Sequence, residues 1–214
     1  FHINNLFQRC SVMPAHQRFW ESILRPPAAI LQSTMSLRSA SMHPRARSDA
    51  SIPISMCREN NALSDTITIQ QEDIAILTSG DSHIGLKVGE EISYEDALYA
   101  ALLASANEAA HALASNTEGG YEAFLEKMNA KAAELGCTNS HFSNTHGLHA
   151  SDHYTTVRDM ALIGRAAFQN EDFMKIPGPL EHKIGKTNLT EQERYVAQKH
   201  KMMHDWRSEY YEYC

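Results

Sequence analysis

Ser105-Ala106-Asn107 sets a hydroxyl and a primary amide two residues apart, groups that each donate and accept hydrogen bonds. Taken alone, a Ser-x-Asn triplet is weak evidence of chemistry. At a helix junction the same two side chains can simply satisfy backbone groups. Four histidines, His141, His146, His149 and His153, fall close together. His149 and His153 would lie one helical turn apart, a spacing that suits a metal. The competing account is a polar loop, and the sequence predicts no metal site. Cys10, Cys57, Cys137 and Cys214 contain no C-x-x-C pair, which removes zinc-ribbon and thioredoxin readings. Four such cysteines do not make a disulfide framework in a chain of 214 residues.

The elements around the triplet are legible from periodicity. Thr66–Ile69 alternates β-branched residues and predicts a short strand. His83–Ile92 carries Gly85 and Gly89 between apolar positions and predicts a turn-rich hairpin. Ser93 can cap a helix, with Asp96 in its first turn and Leu98, Leu102, Leu103 and Ala106 at helical spacing. A second helix is expected over Asn107–Ser115, which places Ser105 and Asn107 at a helix–helix junction. Tyr121–Leu135 reads as an amphipathic helix with Phe124, Leu125, Met128, Ala132 and Leu135 on one face and Gly136 as its stop. Asn139–Tyr154 is a polar loop. Thr155–Phe168 is a helix with Val157, Met160, Ala161, Ile163 and Ala167 inward, and Pro177–Pro179 ends that block. Glu181–Leu189 and Glu209–Cys214 look like strands. There is no internal repeat.

The chain changes character near residue 60. Residues 1–60 hold seven Arg, no Lys and three acids, a net of +4, whereas the remainder carries −11. Pro14, Pro26, Pro27, Pro44 and Pro53 break any long helix there, and Ser crowds the second half. Residues 1–59 therefore read as a disordered or frame-disrupted segment, and 60–214 as a folded domain. The Arg residues show no periodic face, and the chain is acidic overall at −7, so no nucleic-acid partner is expected. No apolar run approaches a membrane span, and Phe1–Asn5 does not begin a signal peptide.

Longer blocks carry a resemblance. The stretch from Ser82-His83-Ile84-Gly85-Leu86-Lys87 to Ser105-Ala106-Asn107-Glu108-Ala109-Ala110 resembles the low-molecular-mass penicillin-binding D-alanyl-D-alanine carboxypeptidases. So do Phe124 to Ala132, Leu135 to Phe142, His146-Gly147-Leu148, and His153 to Ala161, in the family's order and spacing. The match covers about 60–175 and continues more loosely from Thr187-Asn188-Leu189 to Cys214.

The resemblance implies an α/β, β-lactamase/penicillin-binding transpeptidase-like fold. It would be incomplete here, with mainly the helical subdomain and short strands. It implies a serine peptidase that removes the terminal D-alanine of peptidoglycan stem peptides, binds β-lactams, needs no cofactor and works outside the cytoplasm. Membrane anchoring would belong to a full-length relative. Ser105 would relay protons and Asn107 would hydrogen-bond the substrate amide.

Family members pair this element with a Ser-x-x-Lys nucleophile and a Lys-Thr-Gly strand. The sequence contains neither. Ser55-Met56-Cys57-Arg58 is the nearest imitation of the first, and an Arg that stays protonated is a poor base. Gly185-Lys186-Thr187 is followed by Asn188. The expectation is therefore a family member that is inactive as given. The alternatives are a non-catalytic peptidoglycan-binding or scaffold fragment and a β-lactamase relative. Asn188-Leu189-Thr190 fits a glycosylation sequon, which a bacterial origin makes idle.

Overall fold

A computed structural model describes residues 62–199, all within one compact unit. Residues 1–59, where the disordered or frame-disrupted segment is expected, and the strand expected at Glu209–Cys214 lie outside the described residues. Strand β1 (Thr66–Thr68) forms where alternation predicts it and turns Ile67 into the core. It pairs antiparallel with β2 (Glu91–Ser93), with Ile67 opposite Ile92. The segment 83–92 is therefore not a hairpin of its own. Gly85 and Gly89, both at positive φ, let it reverse, and Gly89 N–H and Ile69 N–H extend the β1–β2 ladder. The five-residue helix α1 (Gln71–Ala75) is too short to show a period, and Asp73 closes its first turn by accepting the Gln70 N–H at 2.7 Å.

Helix α2 (Tyr94–Leu103) starts as expected, with Ser93 Oγ accepting the Asp96 N–H at 3.0 Å. Helix α3 (Asn107–Ser115) spans the expected residues. Every α3 residue from Asn107 to Ala114 is buried. Its alanines favour the helix and, being small, let α1, α2 and helix α4 (Gly120–Glu134) close on it from several sides. Phe124, Met128 and Ala132 form the buried face of α4, with Leu125 and Leu135 half-buried beside them. Gly136, at φ 86°, provides the stop.

Helix α5 (Val157–Ala167) buries Ile163 and Ala167 as expected, but Val157 is 81% exposed. Val157 lies six positions before Ile163, roughly 120° around the helix, so its side chain points off the packed face. Helix α6 (Glu171–Lys175) is capped by Asn170, whose Oδ1 accepts the N–H groups of Asp172 and Phe173.

Strand β3 (Glu181–Ile184) pairs antiparallel with β4 (Arg194–Ala197), and Ile184 and Val196 enter the core. The sequence reading missed β4, because only Val196 on it is buried and four residues show little alternation. Polar contacts fasten this hairpin. Arg194 grips the fully buried Glu90 at 2.7 and 3.0 Å, and Asn188 bonds both the Glu91 N–H and the Gly89 carbonyl. His182 lies 2.7 Å from Asp96 and stacks on Tyr99 at 3.7 Å. The hairpin thereby carries Lys199, just beyond β4, to the loop that faces the Ser105–Asn107 turn.

Candidate active site

The junction between α2 and α3 is a reversal built on Ser105. Its φ of 53° is the only positive φ at a non-glycine among the described residues. Helices commonly end on such a left-handed residue, but usually on Gly or Asn. For Ser the conformation costs on the order of 1–3 kcal/mol and persists only where the surroundings impose it. Those surroundings are the Ala100 carbonyl, which accepts from the N–H of both Ala104 and Ala106. The turn lifts Ser105 out of the core into a half-exposed position while Ala104, Ala106 and Asn107 on either side stay buried.

Asn107 opens α3 and is fixed twice on one atom. Its backbone N–H and its Nδ2 both donate to the Ser82 carbonyl oxygen, each at 3.0 Å. A carbonyl only accepts, so the amide nitrogen must face Ser82 and Oδ1 is left as the outward acceptor. Glu108, the next residue, is fully buried and accepts the Ile84 N–H on Oε1 at 2.7 Å, whereas its Oε2 has no partner among the described residues. Lys199 Nζ donates to Ser82 Oγ at 2.9 Å. Partial burial draws the Lys199 ammonium below its ordinary pKa, against the opposing field of Glu108.

Behind this turn lies a buried polar network. Asp73 is inaccessible to solvent, and its Oδ1 meets His111 Nδ1 at 2.6 Å and Ser115 Oγ at 2.9 Å. The residue types are those of an acid–base–nucleophile triad, but the arrangement is not. Ser115 approaches the same ring nitrogen as Asp73, at 3.1 Å, so the ring cannot pass a proton from one to the other across its two nitrogens. The opposite ring contacts are stacks, with Tyr121 at 4.0 Å and His146 at 6.3 Å. Burial, followed by the fields of His111 and His153, pulls His146 down to about 4, so it is neutral near pH 7.

The four loop histidines do not converge. His141 Nδ1 lies 2.7 Å from the Asp152 carbonyl, His146 Nδ1 accepts the Leu148 N–H, and His153 Nδ1 faces the Ser143 N–H. Among the described residues no group of three or more His, Cys, Asp or Glu side chains is arranged to hold a metal ion. No described helix is long and apolar enough to cross a membrane. The reading of the sequence singled out Ser105 and Asn107 but not Ser82, Glu108 or Lys199 as parts of the site. Only their nearness in the fold joins them.

Comparisons with known proteins place the chain in a family. The sequence profile of the D-alanyl-D-alanine carboxypeptidases matches residues 54–206. The chain belongs to this family. D-alanyl-D-alanine carboxypeptidase DacF of Bacillus subtilis is 38% identical over 102 residues, 48% of this chain and 26% of that protein. DacC of Escherichia coli is 37% identical over 107 residues, 49% of this chain and 27% of that protein.

Among solved structures, a D-alanyl-D-alanine carboxypeptidase from Mycobacterium tuberculosis superposes with a TM-score of 0.67 at 26% identity, over 77% of this chain and 60% of that one. A Streptomyces DD-transpeptidase superposes with a TM-score of 0.58 at 26% identity, over 70% and 59% of the two chains. The chain therefore has the penicillin-binding DD-peptidase fold in part, as expected. It spans about a quarter of the length of the curated relatives it matches.

Proposed function

We propose that this chain supplies the Ser-x-Asn side of a serine-type D-alanyl-D-alanine carboxypeptidase site in the cell envelope. The ligand is the D-Ala-D-Ala end of a peptidoglycan stem peptide, or a β-lactam whose amide resembles it. Residues 60–214 form the carboxypeptidase part. Asn107 holds the ligand amide through its outward Oδ1, and Ser105 passes a proton at the same turn. The observation that carries this reading is the double anchoring of Asn107 on the Ser82 carbonyl. It fixes the amide plane and leaves one acceptor free, and a pre-oriented acceptor costs little side-chain entropy when it engages a ligand.

Covalent chemistry needs an activated nucleophile as well. The sequence has no Ser-x-x-Lys and no Lys-Thr-Gly, so this chain alone binds without forming an acyl-enzyme. The non-catalytic, peptidoglycan-binding alternative describes the same chain at that level. Incubation with a fluorescent penicillin and intact-mass analysis tests it. The expected result is no adduct. A stoichiometric adduct that disappears on changing one serine would overturn the binding-only reading, and loss on Ser55→Ala would identify Ser55-Met56-Cys57-Arg58 as the working nucleophile motif.

A further inference from the structure

Two consecutive residues of α3 grip the same short segment in opposite senses. Asn107 donates twice to the Ser82 carbonyl, and Glu108 accepts the Ile84 N–H at 2.7 Å. A third contact arrives from beyond β4, where Lys199 donates to the Ser82 hydroxyl. The segment 82–84 is otherwise loop, with Ser82 and Ile84 half-buried and His83 exposed. A loop carbonyl can orient Asn107 only if the loop itself is held. Glu108 holds it at the Ile84 amide, two residues from the carbonyl that Asn107 uses.

The burial of Glu108 also needs explaining. A carboxyl with no solvent access and one oxygen without a partner is costly, and a Leu or Ala there would complete the apolar packing of α3 at less expense. Its one strong bond is to the segment that anchors Asn107, which gives the residue a task other than stability.

We infer that Glu108 is a positioning residue for Asn107. By fixing Ile84 it fixes the Ser82 carbonyl, and by fixing that carbonyl it sets where Asn107 Oδ1 points. This rests on the reading of Asn107 as the group that binds the D-Ala-D-Ala amide. What Glu108 contributes is reach and an acceptor oxygen. Glutamine retains both. Aspartate keeps the carboxyl but falls one methylene short of the Ile84 N–H.

The test uses the full chain and an N-acetylated tripeptide ending in D-Ala-D-Ala, with affinity measured by calorimetry and amide exchange by NMR. Glu108→Gln should bind within twofold of the parent and leave Ile84 exchange unchanged. Glu108→Asp should bind roughly threefold more weakly, losing no more affinity than Asn107→Ala does, and speed Ile84 exchange about tenfold. The double variant Asn107→Ala/Glu108→Asp should bind no more weakly than Asn107→Ala alone, because the second change acts through the first residue.

A Glu108→Asp protein that binds like the parent, while Asn107→Ala loses affinity, overturns the positioning role and leaves the reading of Asn107 intact. So do losses that multiply in the double variant. If Asn107→Ala binds like the parent, the functional reading fails and the positioning role with it. Should Glu108→Asp not fold, Glu108→Ala replaces it with the same expected losses of affinity and Ile84 protection, and a Glu108→Ala protein that binds like the parent overturns the positioning role. A folded Glu108→Gln protein that loses as much affinity as Asn107→Ala would show that charge rather than the acceptor bond is what counts.

Discussion

The carbonyl oxygen of Ser82 accepts two hydrogen bonds from Asn107, one from the backbone N–H and one from the side-chain amide, both at 3.0 Å. One acceptor thus sets both where α3 begins and which way the Asn107 side chain faces. The residues are 25 apart in the chain, so the bond ties the loop after β1 and α1 to the helix junction. A change at this turn therefore has two readouts, stability and ligand affinity, and they need not move together.

Ser105 is where they should separate. Glycine adopts its φ of 53° without strain, so Ser105→Gly should raise stability by roughly 1 kcal/mol in urea unfolding. The same change removes the hydroxyl and should not improve peptide binding. Equal or lower stability for the glycine variant would mean that the serine side chain contributes a compensating interaction.

The buried His146 predicts a pH dependence in a defined window. Its folded pKa of about 4 lies below the ordinary 6.5, so the unfolded chain binds the proton more readily. This contribution to stability is fully present above pH 6.5 and is lost as pH falls towards 4, amounting to about 3 kcal/mol at most. Chemical unfolding at pH 7, 6, 5 and 4 should show the decline. His146→Asn should flatten it, and an unchanged slope in that variant would assign the effect to other groups.

Glu90 acts at lower pH. Burial pushes its carboxyl up, but the bonds from Arg194, Thr187 and the Lys87 amide outweigh this and leave it below its ordinary 4.5. Its contribution is therefore present above pH 4.5 and is lost as pH falls below that value. Arg194→Met strands the buried carboxylate and should cost about 3–5 kcal/mol at pH 7. Glu90→Gln/Arg194→Met should recover part of it. A single variant as stable as the parent would show that the β3–β4 hairpin is held by other contacts.

Micromolar zinc should leave the melting temperature unchanged. The Nδ1 atoms of His141, His146 and His153 are already engaged with backbone groups, and His149 is exposed. A saturable rise in Tm, lost in His149→Ala, would contradict this.

Much of the helical part was legible because its signals are local. Ser93 as a cap, α3 over Asn107–Ser115 and the Phe124–Met128–Ala132 face each follow from residues a few positions apart. What stayed hidden depends on distant pairs. No local signal marks Asp73, which is buried with His111 and Ser115, about 40 residues on, as its partners. Strand β4 and the Glu90–Arg194 pair, 104 residues apart, show no periodicity to detect. The candidate site divides in the same way. Ser105 and Asn107 stand out as a motif within matching blocks, whereas Lys199 reaches Ser82 from 117 residues away and becomes visible only once the hairpin is folded.

The most direct test of the central claim is a calorimetric titration of the full chain with an N-acetylated tripeptide ending in D-Ala-D-Ala, repeated with the L-Ala-L-Ala counterpart and with Asn107→Ala. The account predicts saturable binding of the D,D peptide, weakened roughly 3- to 10-fold by Asn107→Ala, as expected for one lost hydrogen bond, and weaker binding of the L,L peptide. Equal affinity for both peptides, or an Asn107→Ala protein that binds the D,D peptide as tightly as the parent, would contradict it.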